Sequence, residues 1–195
     1  MQFGLALLRI IVGGLFMGHG LQKLAGWFGG YGLEGTGQFF ESSLNLRPGK
    51  AHAAAAGAAE AGGGALLAAG LDTPLGAAAL SGTMITAIRK VHAPKGPWNS
   101  DGGYEYNLVL LAIVFALSDI GPGKLSLDAA LGRERKGLHW ALGQLAAGAI
   151  GSTIAIAVGE RGAPTAPGAT PAEGGAGETS ASNGTVTEMA DAGTA

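Results

Sequence analysis

Five apolar stretches limit what this chain can fold into: Phe3 to Leu21, Ala51 to Leu71, Pro74 to Val91, Tyr104 to Ile120 and Leu138 to Val158. Each runs to roughly 17–21 residues, the length at which a helix crosses the ~30 Å hydrocarbon core of a bilayer. Inside hydrocarbon every backbone amide must find a partner, which a helix supplies within its own segment. The stretches therefore predict an all-α fold, a polytopic membrane helix bundle. Composition points to the same solvent. Charged residues make up 13% of the chain against 47% hydrophobic, and the charges gather at the ends of the apolar runs. Most of the 37 glycines lie inside or beside those runs, where small residues let helix backbones approach closely.

The connections add detail. No basic residue precedes the first stretch, and it ends in His19-Gly-Leu-Gln-Lys23, not in a small-residue cleavage site, so it reads as a retained helix. Asp72-Thr-Pro74 is a tight turn with Pro at the first helical position, which predicts an antiparallel hairpin of the second and third spans. The loop from Ala25 to Lys50 carries Trp27, Phe28, Tyr31, Phe39 and Phe40, ring types that favour the headgroup region. A short interfacial helix within Gly37 to Asn45, capped by Thr36, is expected there. Beyond Val158 the chain turns to Gly, Ala, Thr, Ser, Pro and Glu, and residues 159–195 read as a disordered polar tail.

Several function classes drop out. With no cysteine, disulfides, thiolate metal sites, Cys-held iron–sulfur clusters and a CxxC redox pair are excluded. A net charge of -2 gives no basic face for nucleic acid. The four histidines show no HxxxH or HxxE spacing, so no metal site is expected. The glycines of Gly29-Gly-Tyr-Gly32 form no phosphate loop, because no GK[ST] follows them.

If the helices alternate in direction, the polar residues converge on one membrane face. His19 and Lys23 end the first span, Arg89, Lys90 and His92 end the third, Trp98 lies in the following loop, and Tyr104, Glu105 and Tyr106 begin the fourth. Glu60 lies about 13 Å below that face, the deepest acid in the chain. An ionisable group at a helix centre in a membrane costs at least ~2.5–3.5 kcal/mol, so it persists when paired, neutralised or used. Glu60, His19 and Lys23 are thus the candidate catalytic residues. Arg89, His92, Trp98, Tyr104 and Glu105 are candidates for ligand binding. The plainer reading makes Lys23, Arg89 and Lys90 interface anchors and Glu60 half of a pair that fixes helix register. Arg9, Gly13, Phe16, Gly20 and Lys23 fall on one stripe facing the bundle, and Arg9 either pairs with Glu60 or reaches the opposite interface. For Glu60 the partner comes from Arg9, His19 or Arg89. Gly14-Leu-Phe-Met-Gly18 is expected to serve internal packing.

The run His19-Gly-Leu-Gln-Lys-Leu, then Trp27-Phe-Gly-Gly, Gly35-Thr, Phe39-Phe, and Glu60 with Gly62 to Gly64, resembles the DoxX family of bacterial membrane proteins. Ala87-Ile-Arg-Lys-Val-His92, Gly96-Pro-Trp98, Gly102-Gly-Tyr-Glu-Tyr106, Gly121-Pro-Gly and Ser126-Leu-Asp128 continue the likeness in order, so that it covers most of residues 3–132. The resemblance implies a four-helix membrane domain over residues 1–137 in the bacterial inner membrane. A fifth transmembrane helix over 138–158 and the tail lie outside it. Proteins of this type are associated with a thiosulfate:quinone oxidoreductase subunit and, in mycobacteria, with a membrane complex linking superoxide removal to thiol metabolism. The resemblance therefore implies a redox-linked component; its cofactor is left unknown, with a quinone as the candidate.

Three functions follow as alternatives. One is a redox-associated membrane protein holding a quinone-like or small oxyanion ligand. Another is a small-solute transporter or channel built around Glu60, and the third a non-catalytic scaffold for partner redox enzymes. Lacking cysteine, the chain is better suited to a quinone-facing or scaffolding part than to thiol exchange. Expected partners are the lipid bilayer and either such enzymes or a second copy of the chain. Seven bases on the site face (Lys23, Arg47, Lys50, Arg89, Lys90, Lys95, Arg161) against four opposite (Lys124, Arg133, Arg135, Lys136) place that face in the cytoplasm. Setting aside Lys23, Arg89 and Lys90 as functional leaves four against four, so orientation stays open.

Overall fold

The computed structural model describes residues 3–162, and among these there is no strand. The α-helices are α1 (Phe3–Ala25), α2 (Gly32–Leu44), α3 (Gly49–Ala69), α4 (Thr73–Ala87), α5 (Glu105–Ile120), the short α6 (Leu127–Ala130) and α7 (Leu138–Arg161). Of the tail expected over 159–195, residues 163–195 lie outside the described residues, while Gly159, Glu160 and Arg161 continue α7 and Gly162 ends it.

α1 runs past its apolar stretch because Gln22 and Lys23 are good helix formers, and it stops at Gly26, whose left-handed backbone (φ 72°) no longer continues it. Between Gly37 and Asn45 the expected helix is present but starts earlier, at Gly32. Thr36 is therefore a buried residue inside α2 and not its cap, and Tyr31 stands at the start without a side-chain cap bond. Glu34 in the first turn offsets the dipole there instead. α4 ends in a wide π-type turn, Ile88–His92, which carries Arg89, Lys90 and His92. Such turns are frequent at functional sites.

α1 and α3 lie antiparallel in close contact. A Cβ added to Gly13 would stand 2.5 Å from the Gly64 carbonyl oxygen, so only glycine admits this approach. Arg9, Gly13, Phe16 and Gly20 are buried, as the stripe predicts. Gly14 and Gly18 are not in the packing: a Cβ at either would meet nothing within 4 Å. The expectation that they pack internally is corrected, because the glycines that face α3 are Gly13 and Gly20, on a different side of α1 from that pair. Val12, Phe16, Leu67, Leu80, Leu110 and Val114 form the core between α1, α3, α4 and α5.

At the far end of the bundle, the Arg9 guanidinium donates to the carbonyls of Pro122 and Leu125. It does not pair with Glu60. The hairpin turn has Asp72 in left-handed backbone (φ 44°), and its side chain does not cap α4. The buried Asp128 carboxylate does so from outside, accepting from the Asp72 N–H (3.0 Å) and the Thr73 N–H (3.3 Å).

α7 lies parallel to α4 and is tied to it along its length: Ser81 to Gln144 at 2.8 Å, Thr86 to Ser152 at 2.9 Å, and Lys90 to Glu160 at 2.9 Å. α1 and α7 are each long and apolar enough to cross a membrane, and only 33% and 28% of their apolar windows are buried in the protein. The core helix of a soluble protein would bury most of such a window. Ile10, Ile11 and Leu15 on α1, and Leu142, Ile150 and Ile154 on α7, point outward instead.

Candidate functional site

Glu60 sits near the middle of α3, with Ala58, Ala59, Ala61 and Gly62 as sequence neighbours that offer no donor. Its partner therefore comes from another helix. Lys23, brought alongside by the antiparallel packing of α1, places Nζ 2.5 Å from Glu60 Oε2. Glu60 is 5% exposed and the Lys23 side chain 25%. Of the partners considered from sequence, Arg9 is engaged at the far end, His19 bonds Gln22 (3.0 Å), and Arg89 bonds Thr153 (3.0 Å). Lys23 wins because it falls on the same buried stripe as Gly13 and Gly20 and has the reach to follow it inward.

The pair forms part of the wall of a cavity of about 640 Å³, bounded by α1, α2, α3, α4, α5 and α7. That lies in the range of ~300–1,000 Å³ occupied by small-molecule sites. His19, His52, His92, Tyr106 and Asn107 line it, all from helix ends on the Lys23 side of the bundle. His92 Nδ1 stands 2.7 Å from the Gly102 carbonyl, which only accepts, so Nδ1 carries a hydrogen and Nε2 is left as acceptor in the neutral ring. Glu60 Oε1 has no hydrogen-bond partner among the described residues, although it belongs to a buried side chain on the cavity wall. The wall thus offers a charged donor and an open carboxylate oxygen side by side.

Of the sequence candidates, His19, Lys23, Glu60 and His92 meet in this cavity. Arg89, Trp98, Tyr104 and Glu105 stand outside its wall. Arg89 turns to α7; Trp98 is 64% exposed; Tyr104 is the residue before α5; Glu105 accepts the Asn99 N–H (2.8 Å) and folds the loop. The π-type turn explains the split at the end of α4, since one wide turn sends Arg89 and His92 to different sides. His52 and Asn107 went unnoticed in the sequence. For His52 the signal was there: His52, Ala56, Ala59 and Glu60 follow the spacing of one helix face. Asn107 was a lone amide in an apolar run, now buried with Nδ2 3.3 Å from Met84 Sδ.

A family model described as DoxX matches residues 4–93. A protein of Bacillus subtilis (strain 168), named "Putative oxidoreductase CatD", is 37% identical over 127 residues, covering 65% of this chain and 86% of that protein. The chain belongs to the DoxX family. It is accordingly a DoxX membrane protein, and the segment matched by the family model holds His19, Lys23, His52, Glu60 and His92. α7, which supplies another part of the cavity wall, lies beyond that segment. No solved structure matches the chain.

Proposed function

We propose that this DoxX protein is a multi-pass, redox-associated component of the bacterial inner membrane that binds a quinone-type ligand at the Lys23–Glu60 pair. The observation that carries the reading is that pair itself: a half-buried ammonium on a buried carboxylate in the wall of a ligand-sized cavity, with one carboxylate oxygen open. Lys23 can donate to a ring oxygen, Glu60 Oε1 can accept from a ring hydroxyl, and His19 stands on the same wall to pass protons. A bound quinone supplies a centre that takes up two electrons and two protons. Having no cysteine, the chain holds no thiol of its own to supply those electrons, so a partner redox enzyme does.

The membrane part of the proposal is a four-helix domain over residues 1–137 and a fifth spanning helix over 138–158. Helix lengths support it for four of the five. α1 with 23 residues, α3 with 21 and α7 with 24 exceed the roughly 20 needed, and α4 gains the length by running on into its π-type turn, while α5 has 16. The name of the relative from Bacillus subtilis, an oxidoreductase, supports the redox side. Titrating the purified protein in lipid nanodiscs with ubiquinone analogues, followed by optical difference spectra, tests the ligand. Saturable binding at one site per chain is expected. No binding, together with solute flux in proteoliposomes, would favour a transporter instead.

A further inference from the structure

The cavity is not a compact pocket. It follows α4 from Leu75 to His92, a length of roughly 25 Å at about 1.5 Å per residue. Its sides are Ala55 and Ala59 on α3 and Gly151 and Ala155 on α7, and its floor includes Ala78 and Gly82 on α4. α3 and α7 both pack on α4 yet hardly touch each other, which leaves a trough between them. The hydroxyls within it are already used: Thr83 donates to the Leu80 carbonyl and Thr86 to the Gly82 carbonyl, and the Thr86 and Ser152 hydroxyls, 2.9 Å apart, bond each other. Free polar chemistry is therefore confined to the Lys23–Glu60 end. α7 is no flap over this trough. Besides its bonds to α4, it is pinned at its start by the Gly137 N–H on the Asp119 carbonyl and at its end by the Arg47 N–H on the Gly159 carbonyl, both bonds within 3.0 Å.

We propose that α7 makes the cavity a lateral slot for the hydrocarbon tail of a prenylquinone, with Gly151 setting its width; this rests on the reading of Lys23–Glu60 as the headgroup site. The occupant follows from the distribution of polarity. A polar end followed by a long apolar trough matches a molecule with one polar ring and one tail, and a water-soluble ligand would leave the trough unfilled. Ala55 and Gly151 on the two sides of the trough are exposed, so it is open along its length, and the neighbouring α7 surface carries exposed Ile150 and Ile154, suited to hydrocarbon, where such a molecule is dissolved. A phospholipid brings two chains to a slot walled on both sides.

Gly151 makes the idea testable without disturbing the fold. A Cβ there would meet nothing within 4 Å, yet the residue lines the cavity, so a larger side chain fills the slot without pressing on a helix. Gly143 lies on the same helix, is equally open and does not line the cavity. The experiment measures binding of decylubiquinone and of its tail-free parent ring to wild type, Gly151→Leu, Gly143→Leu and Glu60→Gln, in detergent and in phospholipid nanodiscs. The slot predicts that Gly151→Leu weakens the decyl ligand at least tenfold and the tail-free ring less than twofold, with Gly143→Leu unchanged. Equal affinity of wild type and Gly151→Leu for the decyl ligand overturns it. So does loss of decyl binding on moving into nanodiscs, since ordinary lipid chains would then fill the slot. The headgroup reading fails separately: Glu60→Gln that binds both ligands as wild type does sinks that reading, while a Gly151 effect would leave the slot standing. A wild type that binds neither ligand overturns both.

Discussion

Glu60 and Lys23 neutralise each other in a place where neither is comfortable alone, and the cost of separating them can be measured. Removing Lys23 strands a carboxylate whose side chain is 6% exposed, and broken buried pairs cost ~3–5 kcal/mol. Because a quarter of the Lys23 side chain reaches solvent, Lys23→Met should fall at the low end, about 3 kcal/mol, seen as a lower melting temperature in detergent. Combining it with Glu60→Gln should recover most of that loss, because no charge is then left buried. A double variant less stable than Lys23→Met would mean that the two residues do not act as a pair. Asp128 offers a second residue-level test. It caps α4 through two backbone amides, so Asp128→Ala should cost about 1–2 kcal/mol by the same melting measurement. Asp72→Ala should cost less, because the Asp72 side chain reaches Arg135 at the surface and makes no cap bond.

At the level of helices, the packing of α1 on α3 depends on the absence of side chains at facing glycines. Gly13→Leu should prevent this contact and abolish folded yield in the membrane, whereas Gly14→Leu, one residue on, should be tolerated. Equal yields of the two variants would contradict the assigned helix rotation. That rotation also separates what was legible in the sequence from what was not. Runs of apolar residues announced α1, α3, α4, α5 and α7, and the Asp72-Thr-Pro74 turn announced the hairpin, because length and local turn chemistry are written within each segment. The stripe through Gly13 and Gly20 was legible from helical spacing, but the Gly14 and Gly18 pair misled, because in a chain so rich in glycine a GxxxG spacing does not by itself mark a packed face. Lys23 was recognised as part of the site but not as the partner of Glu60, since that pairing depends on the register between two helices 37 positions apart. The cap from Asp128, 55 positions from Thr73, was hidden for the same reason.

The whole molecule is read as a bundle in which α1, α3, α4 and α5 carry the core and α7 closes one side of a cavity that ends at a buried ion pair. The five spans proposed above predict that Phe3 and Gly162, the two ends of the described residues, face opposite sides of the membrane; reporters placed at these two positions giving signals from the same side would contradict it. The central claim concerns the pair, and the comparison of Glu60→Gln with wild type tests it most directly. Gln keeps the size of Glu60 and much of its hydrogen bonding but neither ionises nor pairs with an ammonium as a carboxylate does. Quinone affinity per folded molecule is the quantity to measure, alongside yield in the membrane. Near-normal yield with affinity at least tenfold weaker is the predicted result; wild-type affinity in Glu60→Gln would reduce the residue to a structural role and contradict the account.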